Sequence, residues 1–178
     1  MPMSFSQTVK AELAKQISPS RHCQISELAA ILSDCGKVFY DKEEGSKAIA
    51  AIRLEIQTEN GTVARKCFTL LKKTFNIYTN VSIRIHFKQR RNKIYRIVIE
   101  DGQAVKKVLQ AVKYLDEQGN RTSQNECVDA MVMQKTCCRR AFIRGAFLAA
   151  GSISDPEKSY HFEIVCHSQE KADQLKEV

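Results

Sequence analysis

Three features of the 178-residue sequence predict an α+β fold with a pseudo-twofold axis, in which the order helix, two strands, helix, two strands, helix is completed once and begun again. Two apolar helical stretches, 28–36 and 143–151, share a layout and close on glycine. Runs with apolar residues at every second position come in pairs, separated by runs with a period near 3.6. After the second glycine the order of the first half restarts.

The elements follow from local patterns. Val9, Leu13 and Ile17 recur at helical spacing, Ser6 is placed to cap that helix, and Pro19 stops it. Ser26 is the expected cap of a second helix through Leu28, Ala29, Ile31 and Leu32, ending at Gly36. Lys37–Tyr40 and Ala51–Thr58 read as a hairpin with one buried face, because Ile52, Leu54 and Ile56 alternate with Arg53, Glu55 and Gln57. Thr62–Phe75 is helical and carries Arg65, Lys66, Lys72 and Lys73 on its expected wet side. Val81, Ile83, Ile85 and Phe87 alternate with Ser82, Arg84, His86 and Lys88, then a polar turn leads to a strand over Ile94–Glu100. Asp101–Gly102 opens a helix with Val105, Val108, Leu109 and Val112. Beyond a polar stretch come the helix Cys137–Ala150, a strand over His161–Cys166, and a polar helix capped by Ser168. The expected organisation is a helical segment over 1–22, a first repeat over 23–115, a linker over 116–136 and the start of a second repeat over 137–178.

Composition excludes several classes. With 43% hydrophobic residues the chain has enough apolar material for a core, so disorder is excluded. No apolar run approaches the roughly 20 residues of a bilayer helix, and the first residues lack the apolar block of a secretory signal, so a cytoplasmic location is expected. The seven cysteines are odd in number and contain no Cys-x-x-Cys pair, and they read as reduced core thiols. A zinc site through His161, Cys166 and His167 with Cys137 or Cys138 lacks the usual knuckle spacing, so neither metal nor cofactor is predicted.

The net charge of +8 is unevenly placed. Residues 62–99 hold 10 basic and no acidic groups, whereas the segments on either side are each close to neutral. A single-sign block inside a folded region attracts a polyanion. Arg84, His86, Lys88 and Arg96 fall on strands and Arg90, Arg91 and Lys93 around the turn between them, which makes a phosphate track with no carboxylate close in sequence. Arg90 and Arg91 are also placed to read guanine in a groove. The plain alternative is a solvated strand face that keeps a sheet edge soluble. Arg139, Arg140 and Arg144 are candidates either for DNA or for pairing with Glu126, Asp129 or Asp155.

In the two glycine-closed helices, small residues four apart (Ala29 and Ser33; Gly145 and Ala149) form a stripe with little side chain. Such stripes allow an approach closer than the usual 8–10 Å or so, and Gly36 and Gly151 can leave each helix with positive φ. This doubled layout resembles the LAGLIDADG motif of homing endonucleases. The opening Met3-Ser4-Phe5-Ser6 with Val9-Lys10 and Glu12-Leu13, the block Cys137-Cys138-Arg139-Arg140 running on to Gly151-Ser152, and Asp155-Pro156 to His161 resemble the bacterial WhiA family over the whole chain.

That resemblance implies a homing-endonuclease-like domain followed by a helix-turn-helix domain. It also implies a nucleoid-associated DNA-binding factor in sporulation, cell division and chromosome segregation, whose partners are double-stranded DNA and division or transcription proteins. The chain stops before the second half of the second repeat and before any helix-turn-helix, so a truncated product or fragment is expected, one that self-associates through exposed apolar faces or folds weakly. A protein-docking scaffold without DNA contact is the alternative function.

The LAGLIDADG nucleases carry an acid at the penultimate motif position of each helix, and the two carboxylates hold divalent cations beside the scissile phosphates. Here those positions are Cys35 and Ala150. A thiol is a poor ligand for Mg²⁺ and a methyl group is none, and Asp34, about 100° round the helix, has no acidic counterpart because Ala149 fills the equivalent position. With no phosphate-binding glycine loop or nucleophile–base pair elsewhere, the expectation is a non-enzyme.

Overall fold

The computed structural model describes residues 4–42, 49–86, 92–122 and 127–178. Six helices and six strands are placed: α1 (Phe5–Lys15), α2 (Arg21–Cys35), β1 (Gly36–Lys42), β2 (Ile49–Thr58), α3 (Gly61–Phe75), β3 (Val81–His86), β4 (Asn92–Ile99), α4 (Gly102–Ala111), α5 (Thr136–Ala150), β5 (Gly151–Ile153), β6 (Phe162–Ile164) and α6 (Gln169–Glu177). A 3₁₀ turn occupies Ala130–Met133. The α+β class and the two glycine-closed helices that lead straight into strands are as the sequence predicts.

Two caps lie elsewhere. Ser4, not Ser6, caps α1 in a reciprocal capping box with Gln7, while the Ser6 hydroxyl accepts from the Ile153 N–H at 3.3 Å. α2 begins five residues ahead of Ser26, which is fully buried within the helix and donates its hydroxyl to the Cys138 carbonyl at 2.8 Å. A serine reads as a cap only where its oxygen meets a free N–H, and here a neighbouring helix supplies an acceptor instead.

The four strands of the first repeat form one antiparallel sheet in the order β1-β2-β4-β3, and β5 pairs with β6 in a second. Register assigns the faces. Leu54 pairs with Ile99 and Ile56 with Ile97, and all four are buried against α2, α3 and α4 together with Leu28, Leu70, Leu71, Val105 and Val108. The alternate positions, Lys37, Phe39, Arg53, Glu55, Gln57, Ser82, Arg84 and Arg96, lie on the face away from those helices. β3 is an edge strand, and Val81, Ile83 and Ile85 are exposed although they share the inner face. Part of the stretch read as a linker is packed: Val132 and Met133 are buried, with Ala29 beside Val132 and Ala30 beside Met133.

α2 and α5 are the central pair, and of the expected stripe Gly145 stands at the crossing, where it meets α2 at Glu27 and Ala30. Ala30 meets Ala146, and a Cβ on Gly145 would lie 2.4 Å from the Glu27 carbonyl oxygen and 2.9 Å from the Ala30 Cβ. Ala29 instead packs with Val112 and Val132, and Ser33 and Ala149 are half-buried. The closing glycines also differ from expectation. Gly36 (φ −88°) and Gly151 (φ −87°) leave their helices in ordinary extended geometry. Gly151 is required for space, since a Cβ there would lie 2.2 Å from the Phe147 ring.

Glu27, wholly buried, lies at the centre of this packing. Its carboxylate takes a two-pronged contact from Arg144 Nε and Nη2, both 2.9 Å, and Lys66 Nζ lies 2.8 Å away. Lys66 also donates to the Gln16 carbonyl at the end of α1. Lys66 is therefore buried rather than on the wet side of α3, and Arg144 has Glu27 as its partner in place of Glu126, Asp129 or Asp155. Removing the one anion leaves two cations in the core, so Glu27→Gln should lower unfolding stability by about 3–5 kcal/mol, read from urea denaturation. Gly145→Ala should cost about 1–3 kcal/mol by overpacking against backbone.

Candidate nucleic-acid interface

The sheet face away from the helices gathers charge from all four strands of the sheet. Arg96 on β4 stands between Ser82 and Gln57 in register, Arg84 on β3 stands opposite Ile94, and Lys37 and Arg53 come from β1 and β2. The Arg53 guanidinium stacks on the Phe39 ring at 4.0 Å from its centroid, and Lys37 approaches the same ring at 5.3 Å. The ring thus holds two cations on one strip of the sheet. Arg53 Nε and Arg96 Nε are both buried from water without a hydrogen-bond partner among the described residues.

One carboxylate interrupts the track. Glu55 is 4% exposed, and its Oε2 lies 2.5 Å from Arg96 Nη2 while Gln57 donates to Oε1. The sequence reading of a track free of carboxylates is thereby corrected: Glu55 lies 41 residues before Arg96 and reaches it only because β2 pairs with β4. The hydrogen bond from Arg96 holds the Glu55 carboxyl below the usual range against the opposing effect of burial, and the Gln57 amide helps.

The other proposed contacts divide. Arg84 is exposed on the outer face, and His86 lies on β3 at a register position of that same face. Lys93 belongs to β4 rather than to the turn and pairs with Ile85, which puts it in register with the opposite face. Lys88, Arg90 and Arg91 lie outside the described residues. Arg139 donates from Nε to the Met133 carbonyl at 3.3 Å. Lys37, Arg53 and Phe39 were missed because they fall outside the basic block, although the alternation of Arg53, Glu55 and Gln57 in β2 carried the signal.

At the closing ends of the central helices stand Cys35 and Ala150. Burial, then the neighbouring Asp34, pushes the Cys35 thiol up to about 11, so it stays protonated at neutral pH. Asp34 is drawn toward Lys171 of α6, 3.7 Å from its Nζ, while burial raises its carboxyl above the ordinary value. The zinc ligands weighed from sequence are not brought together: His161 instead pairs with Glu163, Nε2 to Oε2 3.1 Å.

A family model described as the WhiA N-terminal LAGLIDADG-like domain matches residues 21–115, and one described as the WhiA LAGLIDADG-like domain matches residues 139–178. A "Probable cell division protein WhiA" of Lachnoclostridium phytofermentans is 47% identical over 99% of this chain and 54% of its own length. The chain belongs to the WhiA family. The protein of the same name from Alkaliphilus oremlandii is 39% identical over 99% of this chain and 53% of its own, so this WhiA-family chain spans about half the length of these curated relatives. Among solved structures, full-length DUF199/WhiA from Thermatoga maritima superposes with a TM-score of 0.64 at 20% identity, covering 98% of this chain and 49% of that one. A variant of I-DmoI in complex with its target DNA superposes at 0.51 and 15% identity, covering 89% and 75%, and these two likenesses establish the LAGLIDADG-like fold.

Glu55 has its pKa lowered on folding, so the Arg96–Glu55 pair contributes stability above the unfolded carboxylate value of about 4.3 and loses it as pH falls through the lower folded value. Denaturation midpoints should therefore fall below about pH 4.3 in the parent chain, and that part of the decline should be absent in Glu55→Gln.

Proposed function

We propose that this chain is the duplex-docking half of a non-catalytic, nucleoid-associated regulator acting in cell division, in keeping with the printed names of its WhiA relatives. The observation that carries the reading is the sheet face on which Lys37, Arg53, Arg84 and Arg96 stand together, with Glu55 hydrogen-bonded to Arg96 among them. Cationic groups gathered on one sheet face are suited to phosphate oxygens, and phosphate contacts supply most non-specific duplex affinity. The I-DmoI variant of similar fold was solved with its target DNA.

Phosphate contact sets position rather than sequence, so this face supplies register on the duplex. A role in promoter choice, chromosome segregation or sporulation would draw on the remainder of the protein. The chemistry of Cys35 and Ala150 argues against cleavage, since a protonated thiol and a methyl group offer no oxygen to a hard cation. Lys171 also holds the adjacent Asp34.

Titration of the 178-residue chain against a random-sequence duplex at several salt concentrations tests this reading. If about six phosphates are contacted, log affinity should fall with log salt at a slope near −5. Arg53→Ala with Arg84→Ala should reduce that slope by about two. Glu55→Gln should tighten binding by freeing Arg96, and Lys107→Ala on the exposed side of α4 should leave the slope unchanged. Absence of binding at low salt would favour a protein-docking scaffold. A supercoiled plasmid incubated with the chain and Mg²⁺ or Mn²⁺ should stay intact, and nicking that a chelator prevents would contradict the non-catalytic assignment.

A further inference from the structure

α2 and α5 match at their beginnings as well as at their ends. His22 and Cys23 are the second and third residues of α2, and Cys137 and Cys138 are the second and third of α5. Counted back from the closing glycines, His22 and Cys137 lie fourteen positions before Gly36 and Gly151, and Cys23 and Cys138 thirteen. The two pairs are thus equivalent positions of the two repeats.

Because α2 and α5 cross tightly at Gly145 and are joined again by the Ser26 hydroxyl on the Cys138 carbonyl, their first turns lie side by side. One donor atom from each of the four residues falls within 4.8 Å of the other three, the single such grouping of histidine, cysteine or carboxylate ligands among the described residues. His22 Nδ1 is 3.2 Å from Cys138 Sγ and 3.3 Å from Cys23 Sγ. A tetrahedral zinc ion with Zn–S near 2.3 Å and Zn–N near 2.0 Å spaces its donors roughly 3.3–3.8 Å apart. The side chains therefore already stand close to coordination span.

A second observation points the same way. α1, α3, α4 and α6 each have a side chain accepting from a first-turn N–H, but the caps of α2 and α5, Ser20 and Lys135, provide none. The two helices that begin in the cluster are the two whose cap side chains accept no first-turn N–H, and the positive ends of both helices favour anionic sulfur there.

We propose that His22, Cys23, Cys137 and Cys138 form a structural zinc site that staples the beginnings of the two central helices together. Three sulfurs and one nitrogen are soft to borderline donors, which select zinc over magnesium or calcium, and four protein ligands close the shell against a substrate. An iron–sulfur cluster would demand wider separation, because bridged irons stand between its thiolates. On binding, the three thiols release three protons to solvent, and the resulting site of charge −1 sits beside Arg140, which lines the same shallow groove as Cys23 and Cys137.

The test uses the reduced 178-residue chain, with cobalt and zinc as probes. Titration with Co²⁺ should give a thiolate-to-metal charge-transfer band and tetrahedral d–d bands that saturate at one ion per chain and are displaced by Zn²⁺. Elemental analysis of protein produced with zinc should find the same ratio. Cys137→Ser, at an exposed position that adds no packing cost, should abolish the bands and the bound zinc while far-ultraviolet circular dichroism is retained; Cys35→Ser, at the far end of α2, should keep both. A chelator should lower the melting temperature of the parent chain and leave that of Cys137→Ser unmoved. A folded, reduced parent chain that binds neither ion would overturn the proposal. So would bands that persist in Cys137→Ser, or a Cys23–Cys137 disulfide in protein produced with zinc.

Discussion

The buried charge of Glu27 is the constraint on which the arrangement of helices depends. An anion with no access to water must be matched by cations at hydrogen-bonding distance, and here Arg144 grips it from α5 while Lys66 approaches from α3. Lys66 in turn reaches the carbonyl of Gln16, which draws the end of α1 to the same point. Four helices are therefore registered by one carboxylate. Desolvating three ions gains little over an apolar core of equal volume, but few other arrangements of these helices would satisfy all three at once, so the triad acts chiefly through specificity.

The close crossing of α2 and α5 follows from the same geometry. The bidentate grip requires Arg144 to lie over Glu27, and the residue after Arg144 then meets the Glu27 carbonyl, where only glycine fits. With the crossing point fixed, both ends of each helix are fixed too. One end delivers Gly36 and Gly151 directly into strands, and the other brings His22, Cys23, Cys137 and Cys138 together.

The sheet divides the molecule chemically. Its inner face is closed by Leu54, Ile56, Ile97 and Ile99 against the helices, which leaves the outer face free to carry charge. Glu55 interrupts the basic track on that face. It engages the Arg96 guanidinium by a charge-assisted hydrogen bond, while Phe39 holds that of Arg53 by stacking. A guanidinium ordered by stacking, as that of Arg53 is, loses less side-chain freedom on meeting a phosphate than a free one.

Much of this architecture was legible in the residues. The strands of β2 and β4, the helix α3 and the closing glycines announce themselves because periodicity and termination are properties of a contiguous segment, and the Cys-Cys-Arg-Arg block and the opening Met-Ser-Phe-Ser signalled the family. The tertiary structure alone decided which face each charge occupies and whom it meets: Lys66 reads as a wet-side residue until Glu27 is placed beside it, Glu55 reaches Arg96 only across paired strands, and Glu27 reaches Arg144 across 117 residues. The grouping of His22, Cys23, Cys137 and Cys138 belongs with these, as two adjacent pairs that no ligand spacing connects along the chain. Local patterns are written within one turn of helix or one pleat of strand, whereas the pairing of buried polar groups depends on how separate elements cross, and that is settled only when the core packs.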